Sequence, residues 1–134
     1  MRAAQWVLPP HSTVFVGCVG QDENASRLRE AATADGLQVE YLEDGAAPTG
    51  TCACLLTEGG KNRSLVANLG AANNYKIAHL QSEGMVGILE RAKIIYISGF
   101  FLTVSPETIM YVAKLAHEKG KVFSSRDARI IHND

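Results

Sequence analysis

Residues 48–75 read PTGTCACLLTEGGKNRSLVANLGAANNY, and their reading sets the character of the chain. Two β-rich runs, 51–57 and 63–69, flank Glu58-Gly59-Gly60-Lys61-Asn62, a loop of hairpin length whose glycines tolerate positive φ. The two-residue period of a strand puts Arg63, Leu65, Ala67 and Leu69 on one face. That face is apolar with a guanidinium at its rim, a pattern suited to covering a phosphorylated or phosphate-receiving ligand. Taken alone, an Arg at a hairpin end such as Arg63 is more often a solvated charge. The Gly59-Gly60 pair is read as a turn and not as a phosphate cradle, because no helix follows it and no Lys-Ser/Thr pair accompanies it.

Working outward, strands alternate with helices. Residues 13–17 (TVFVG) form a β-branched and aromatic run, followed by a tight turn through Asp22 and a helical stretch over 24–35. Leu28, Ala31 and Ala32 give that helix an apolar stripe, Gly36 stops it, and residues 37–42 alternate as a strand. Beyond the hairpin, 71–81 and 84–93 read as helical, 94–98 (IIYIS) as a fully buried strand, 106–119 as a helix and 121–124 as a further short strand. Ser105 can cap that last helix, Pro106 suits its first turn, Glu107 complements its dipole and Gly120 ends it. Ile109, Val112, Ala113 and Ala116 fall on one face of it at helical spacing. Two βαβ units predict an α/β protein with a mainly parallel, Rossmann-like sheet, helices on both faces and a small β-hairpin lid.

With 134 residues, 46% apolar and 20% charged, the chain has the length of one domain and a globular composition. A net charge of −1 with both signs interspersed gives no field to hold nucleic acid or an anionic membrane, so neither is expected as a partner. No apolar run approaches the roughly 20 residues that span a bilayer. The expected compartment is the cytosol, with the nucleus also open to it. Cys18, Cys52 and Cys54 make an odd count with no C-x-x-C pair, against a disulfide framework or zinc knuckle. Cys52 and Cys54 share a strand face and read as small buried hydrophobes rather than catalytic thiols. The four histidines lack metal-site spacing, and no metal ligand is assigned.

Four runs carry a resemblance: residues 17–22 (GCVGQD), 48–53 (PTGTCA), 62–69 (NRSLVANL) and 99–107 (GFFLTVSPE). With them the sequence, from about Arg2 to Phe123, resembles the adenosine kinases, a branch of the ribokinase-like superfamily of sugar and nucleoside kinases. The resemblance implies a ribokinase-like core whose lid, residues 48–70, closes over adenosine while ATP and Mg2+ bind elsewhere on the core. The implied reaction moves the ATP γ-phosphoryl to the 5′-hydroxyl of adenosine, giving AMP, as in purine salvage. It also implies that Arg63 approaches the transferring phosphate, that Leu65, Ala67 and Cys52 line the nucleoside side of the lid, and that Phe101 stacks on the purine, with Phe100 the alternative. Asp22 tempts as a base but matches a structural turn of the superfamily.

Other family parts have no counterpart in these residues. They are the ribose-gripping Asp and Gly-Gly/Asn segment, the Asn-x-x-Glu run associated with magnesium, and the Gly-Ala-Gly-Asp motif with the anion hole and catalytic base. Residues 124–129 (SSRDAR) also depart from the family's continuation, and 126–134 are polar and irregular. The reading is therefore one incomplete ribokinase-like domain over 1–134, without its ATP and Mg2+ ligands and unable to catalyse phosphoryl transfer alone. Self-association through exposed sheet edges is expected. The rival readings are a catalytically inactive interaction or regulatory fragment and a small nucleoside-binding protein.

Overall fold

The protein is described from a computed structural model over residues 1–126; residues 127–134, the polar tail above, lie outside the described residues. The chain divides into two compact units, the first Met1–Tyr75 and the second starting at Lys76.

In the first unit a short helix α1 (Arg2–Val7) precedes strand β1 (Val14–Gly20), helix α2 (Glu23–Ala34) and strand β2 (Gln38–Asp44). β1 and β2 pair in parallel from Val14 opposite Gln38 to Gly20 opposite Asp44, so α2 is their crossover, as the first βαβ unit requires. The start of α2 is fixed by Asp22, whose carboxylate accepts from the Ala25 N–H at 3.0 Å. Its end is fixed by Gly36 at φ +71. There the Gly36 N–H donates to the Thr33 carbonyl (2.9 Å) and the Leu37 N–H to the Ala32 carbonyl (3.0 Å), a Schellman closure that buries Leu37. The buried stripe of α2 runs through Ala25 and Ala32, whereas Leu28 and Ala31, expected to share it, are exposed.

Gln5 secures α1. Its amide is buried, donates to the Pro9 carbonyl (2.8 Å), and accepts from both the N–H (3.1 Å) and the hydroxyl (2.7 Å) of Thr13. All these groups are satisfied, which removes the penalty of burying an amide.

The segment expected to form a lid is an antiparallel hairpin of β3 (Thr51–Thr57) and β4 (Asn62–Asn68), joined by a tight turn in which Glu58, Gly59 and Gly60 all have positive φ. Every residue of both strands is exposed. This corrects the expectation for Cys52 and Cys54, which are exposed and not buried. Their apolar character fits a core strand, but no described layer covers this hairpin. Leu69, expected to continue β4, has already left it with helical dihedrals.

The hairpin joins its unit at a narrow neck. The Ala71 N–H, on the outgoing strand's continuation, donates to the Pro48 carbonyl on the incoming segment (2.8 Å). A Cβ at Gly70, where φ is +47, would stand 2.2 Å from the Pro48 oxygen, and one at Gly50 would stand 2.6 Å from the Leu69 oxygen. Only glycine lets the two segments cross this closely. After the neck a 3₁₀ turn over Gly70–Asn74 packs Ala71, fully buried, beside β1.

The predicted helix over 71–81 is therefore interrupted. Tyr75 and Lys76 are extended, and a one-turn helix α3 (Ile77–Leu80) follows. The physical cause is tertiary: the Asn74 amide donates to Asp44 Oδ2 at 2.5 Å and the Tyr75 ring is buried, which fixes this stretch outside helical geometry.

The second unit comprises α3, α4 (Glu83–Arg91), β5 (Ile94–Ser98), a 3₁₀ turn over Gly99–Thr103, α5 (Pro106–Glu118) and β6 (Val122–Arg126). β5 and β6 pair in parallel with α5 as crossover. Its core is Leu80, Met85, Leu89, Val112 and Ala116. Gly120, at φ +62, repeats the Schellman closure, with the Lys121 N–H on the Ala116 carbonyl at 2.8 Å. Ser105 occupies the cap position of α5, but its hydroxyl is bonded to that of Thr108 (2.7 Å, both buried) and not to a backbone N–H. β5 also departs from expectation. It alternates exposed and half-buried residues, with Ile94 at 68% exposure, so one of its two faces is left uncovered among the described residues.

Gly70→Ala is expected to destabilise the first unit by about 1–2 kcal/mol from its left-handed dihedrals alone, and more from the contact with Pro48. Chemical denaturation followed by circular dichroism measures it, and an unchanged midpoint would show that the neck is not held as described.

Candidate functional site

The hairpin register decides which side chains share a surface. Directly opposed residues of an antiparallel pair lie on the same face, and Leu56 is opposite Arg63, Cys54 opposite Leu65, and Cys52 opposite Ala67. One face therefore carries Arg63, Leu65, Ala67 and Cys52, four of the six residues the sequence reading singled out. Cys54 and Leu56 join them. That reading treated the strands separately and so missed Leu56; the equal seven-residue strands around a short loop were the signal that could have found it. The other face, with Thr51, Thr57, Asn62, Ser64 and Asn68, is the more polar one.

This face is graded along its length. Cys52 and Ala67 lie towards the neck, Leu65 and Cys54 in the middle, and Arg63 with Leu56 beside the turn. Leu65 is 58% and Leu56 65% exposed. Arg63 has no carboxylate partner among the described residues. A one-face apolar surface ending in an unpaired guanidinium can lie over a flat, partly apolar ligand and meet negative charge at one end.

Phe100 and Phe101 lie in the second unit, on the 3₁₀ turn that leaves the C-terminal end of β5. Phe100 is 52% exposed and Phe101 half-buried. The turn is braced by the Thr103 hydroxyl on the Phe100 carbonyl (2.8 Å) and by the Val104 and Ser105 N–H groups on the Phe101 carbonyl (both 3.0 Å). The C-terminal edge of parallel strands is where open α/β sheets bind ligands.

Asp22 has a structural position. Besides capping α2, its carboxylate accepts from the Thr49 N–H (2.7 Å) and the Thr49 hydroxyl (2.7 Å), while the Gly20 N–H donates to the same hydroxyl oxygen (2.9 Å). Thr49 is buried. These bonds from Thr49, followed by the bond from Ala25, hold the Asp22 carboxyl below the usual carboxylate range. The root of the hairpin is thereby tied to the start of α2.

A cleft of about 380 Å³ opens beside this network, lined among others by Gln21, Asp22, Glu23, Ser26, Arg29 and Glu43. Its one cation, Arg29, is paired with Glu43 at 2.8 Å, and the α2 terminus is already occupied by the Asp22 carboxylate. The donor set repels a nucleotide phosphate. The Gly59-Gly60 turn, with Glu58 beside it and a strand after it, does not fit one either. Among the described residues no group of three or more His, Cys, Asp or Glu side chains could hold a metal ion. No described helix is long and apolar enough to cross a membrane.

Along residues 1–132 the sequence matches the family described as "pfkB family carbohydrate kinase". The chain belongs to the pfkB family. Kinases of this family use ATP. The pfkB chain is 52% identical over 122 residues to the adenosine kinase of Schizosaccharomyces pombe, covering 91% of itself and 36% of that protein.

Among solved structures it is similar to Anopheles gambiae adenosine kinase in complex with P1,P4-di(adenosine-5) tetraphosphate, at 49% identity and a TM-score of 0.88. It is also similar to Schistosoma mansoni adenosine kinase in complex with 2-fluoroadenosine, at 30% identity and a TM-score of 0.86. Each match covers 92% of this chain and 36% of the other. The fold is thus ribokinase-like, and the chain spans about a third of the length of the relatives it matches.

The Asp22 network makes a pH prediction. The folded state favours the ionised carboxylate, so the unfolded chain binds this proton more tightly. The stabilisation is present above the ordinary carboxylate pKa of about 4 and is lost as pH falls through the depressed folded value. Thermal melts between neutral and acid pH should therefore fall less steeply for Asp22→Asn than for the unaltered chain. Asp35, held low by its hydrogen bond to Arg2, contributes in the same sense to both. Identical slopes would show that Asp22 is not held ionised.

Proposed function

We propose that this chain carries the lid and part of the nucleoside pocket of an adenosine kinase, the enzyme that transfers the ATP γ-phosphoryl to the 5′-hydroxyl of adenosine to give AMP. The observation that supports the reading most is the single lid face bearing an unpaired Arg63 beside Leu65, Ala67 and Cys52. In this proposal Leu65, Ala67 and Cys52 lie over the nucleoside and exclude water from it. Phe101 stacks on the purine, with Phe100 the alternative, each such stack contributing about 1–3 kcal/mol. Arg63 neutralises charge developing on the transferred phosphoryl group, a contribution of about 3 kcal/mol to the barrier.

We assign the sites for nucleotide phosphate and Mg2+, with the catalytic base, to the two thirds of the relatives that this chain does not match. The two units then form parts of one ribokinase-like domain into which residues 48–70 are inserted. The cytosol, with the nucleus also accessible, is the proposed compartment, and neither nucleic acid nor a membrane is a proposed partner.

The test replaces the matching segment of the full-length S. pombe adenosine kinase with these residues. The hybrid should form AMP, and Arg63→Ala within it should lower kcat by about 10²–10³-fold with a smaller change in the KM for adenosine. Phe101→Ala should chiefly raise that KM, about 10-fold. An Arg63→Ala hybrid with undiminished kcat would sink the assignment. The 134-residue chain alone should give no AMP from ATP and adenosine, and robust turnover would overturn the placement of the missing groups.

A second reading draws on the described strands, each of which has an unpaired edge. Such edges favour self-association or pairing with an intact kinase as a non-catalytic partner. Size-exclusion chromatography with and without intact kinase tests this: a monomer that ignores the kinase removes it.

A further inference from the structure

The lid face holds a group that the nucleoside reading does not use, Cys54, exposed two residues beyond the equally exposed Cys52 and, like it, in no disulfide. We infer that this face is a thiol-modification site, with Cys54 as the reacting group and a small disulfide bearing carboxylates, of which oxidised glutathione is the probe, as its reactant.

Three observations carry this. First, Cys52 and Cys54 stand about 6.8 Å apart along an extended strand, with parallel Cβ directions. A disulfide needs Cβ atoms about 3.5–4.5 Å apart, so closing Cys52 onto Cys54 would break the β3–β4 ladder. Second, the two thiols differ. The Cys52 Sγ is turned to the Ala53 carbonyl, at 3.7 Å, whereas Cys54 has no hydrogen-bond partner among the described residues. Third, the register places Cys54 opposite Leu65 and Arg63 opposite Leu56, so Arg63 is the diagonal neighbour of Cys54 on the same face. That diagonal spans about 7–8 Å, within reach of a long side chain. With no carboxylate of its own to pair, the guanidinium can meet those of the incoming disulfide.

The step is thiol–disulfide exchange. The Cys54 sulfur, losing its proton, attacks one sulfur of the small disulfide. A Cys54–S bond forms, the original S–S bond breaks, and the other half leaves as a thiolate that takes up the proton. One disulfide is consumed and one formed, so no further oxidant is needed. Cys54 ends as a mixed disulfide, because ring closure to Cys52 is geometrically blocked. The chemistry stands independently of the proposed nucleoside pocket. Under that proposal, the adduct would also occupy the surface meant to cover the nucleoside.

Native-state incubation of the 134-residue chain with oxidised glutathione, followed by intact mass and peptide mapping, tests it. One adduct at Cys54 is expected, with Cys18, which is buried, unmodified until the chain is denatured. Cys54→Ser should abolish the adduct and Cys52→Ser retain it. Arg63→Gln should slow the reaction with oxidised glutathione about 3- to 5-fold at low salt, as loss of an exposed ion pair allows, without slowing that with neutral 2-hydroxyethyl disulfide. Equal labelling of Cys52 and Cys54, an internal Cys52–Cys54 disulfide, or equal slowing of both reagents would overturn the inference.

Discussion

The hydrogen-bonded junction of Asp22, Thr49 and Gly20 is the constraint on which the first unit turns. One carboxylate caps α2 and grips the incoming strand of the hairpin, and one hydroxyl closes the loop back to the end of β1. The same few atoms therefore set where the helix starts and where the hairpin begins. The neck next to it, with Pro48 and Ala71 bonded across the Gly50–Gly70 crossing, fixes the second root of the hairpin. An isolated two-stranded ribbon is marginal in water, and this one has both faces exposed. Its order depends on being anchored at both roots and on the ladder between them.

The exposure that makes the hairpin energetically weak is also what gives it chemistry. A buried Arg63 would need a carboxylate, and a buried Cys54 would be inert. On this open face Arg63 and Cys54 are both accessible to solvent, and the apolar residues beside them are uncovered by any described layer. The second unit shows a related exposure, since β5 presents Ile94 and Tyr96, and β6 Val122, to solvent among the described residues.

Much of this organisation was legible in the residues. Gly36 and Gly120 mark real helix ends, Pro106 opens a real helix, and the Gly59-Gly60 turn joins two real strands. Arg63, Leu65 and Ala67 share a face because a strand's period is a local property. The misses have non-local causes. Cys52 and Cys54 look like core residues because apolarity and β-propensity describe a strand's fitness for burial and not whether a layer is there to bury it. The helix expected over 71–81 breaks because Asn74 bonds to Asp44, thirty residues earlier, and Tyr75 is buried. The junction itself spans twenty-seven residues of sequence between Asp22 and Thr49, and no local pattern announces such a pairing. In the candidate site the contribution of Cys54 and Leu56 required the register between two strands, which only pairing reveals.

Geometry adds a consequence. Seven residues of strand separate the crossing glycines from the turn, a span of about 20 Å. Over such a lever arm, a tilt of about 3° at the root swings the tip by about 1 Å, a displacement large enough to spoil the aim of a charged group. Steric crowding at Gly50 and Gly70 thus acts as the bearing of an angular mount, and small changes far from Arg63 govern where its guanidinium points.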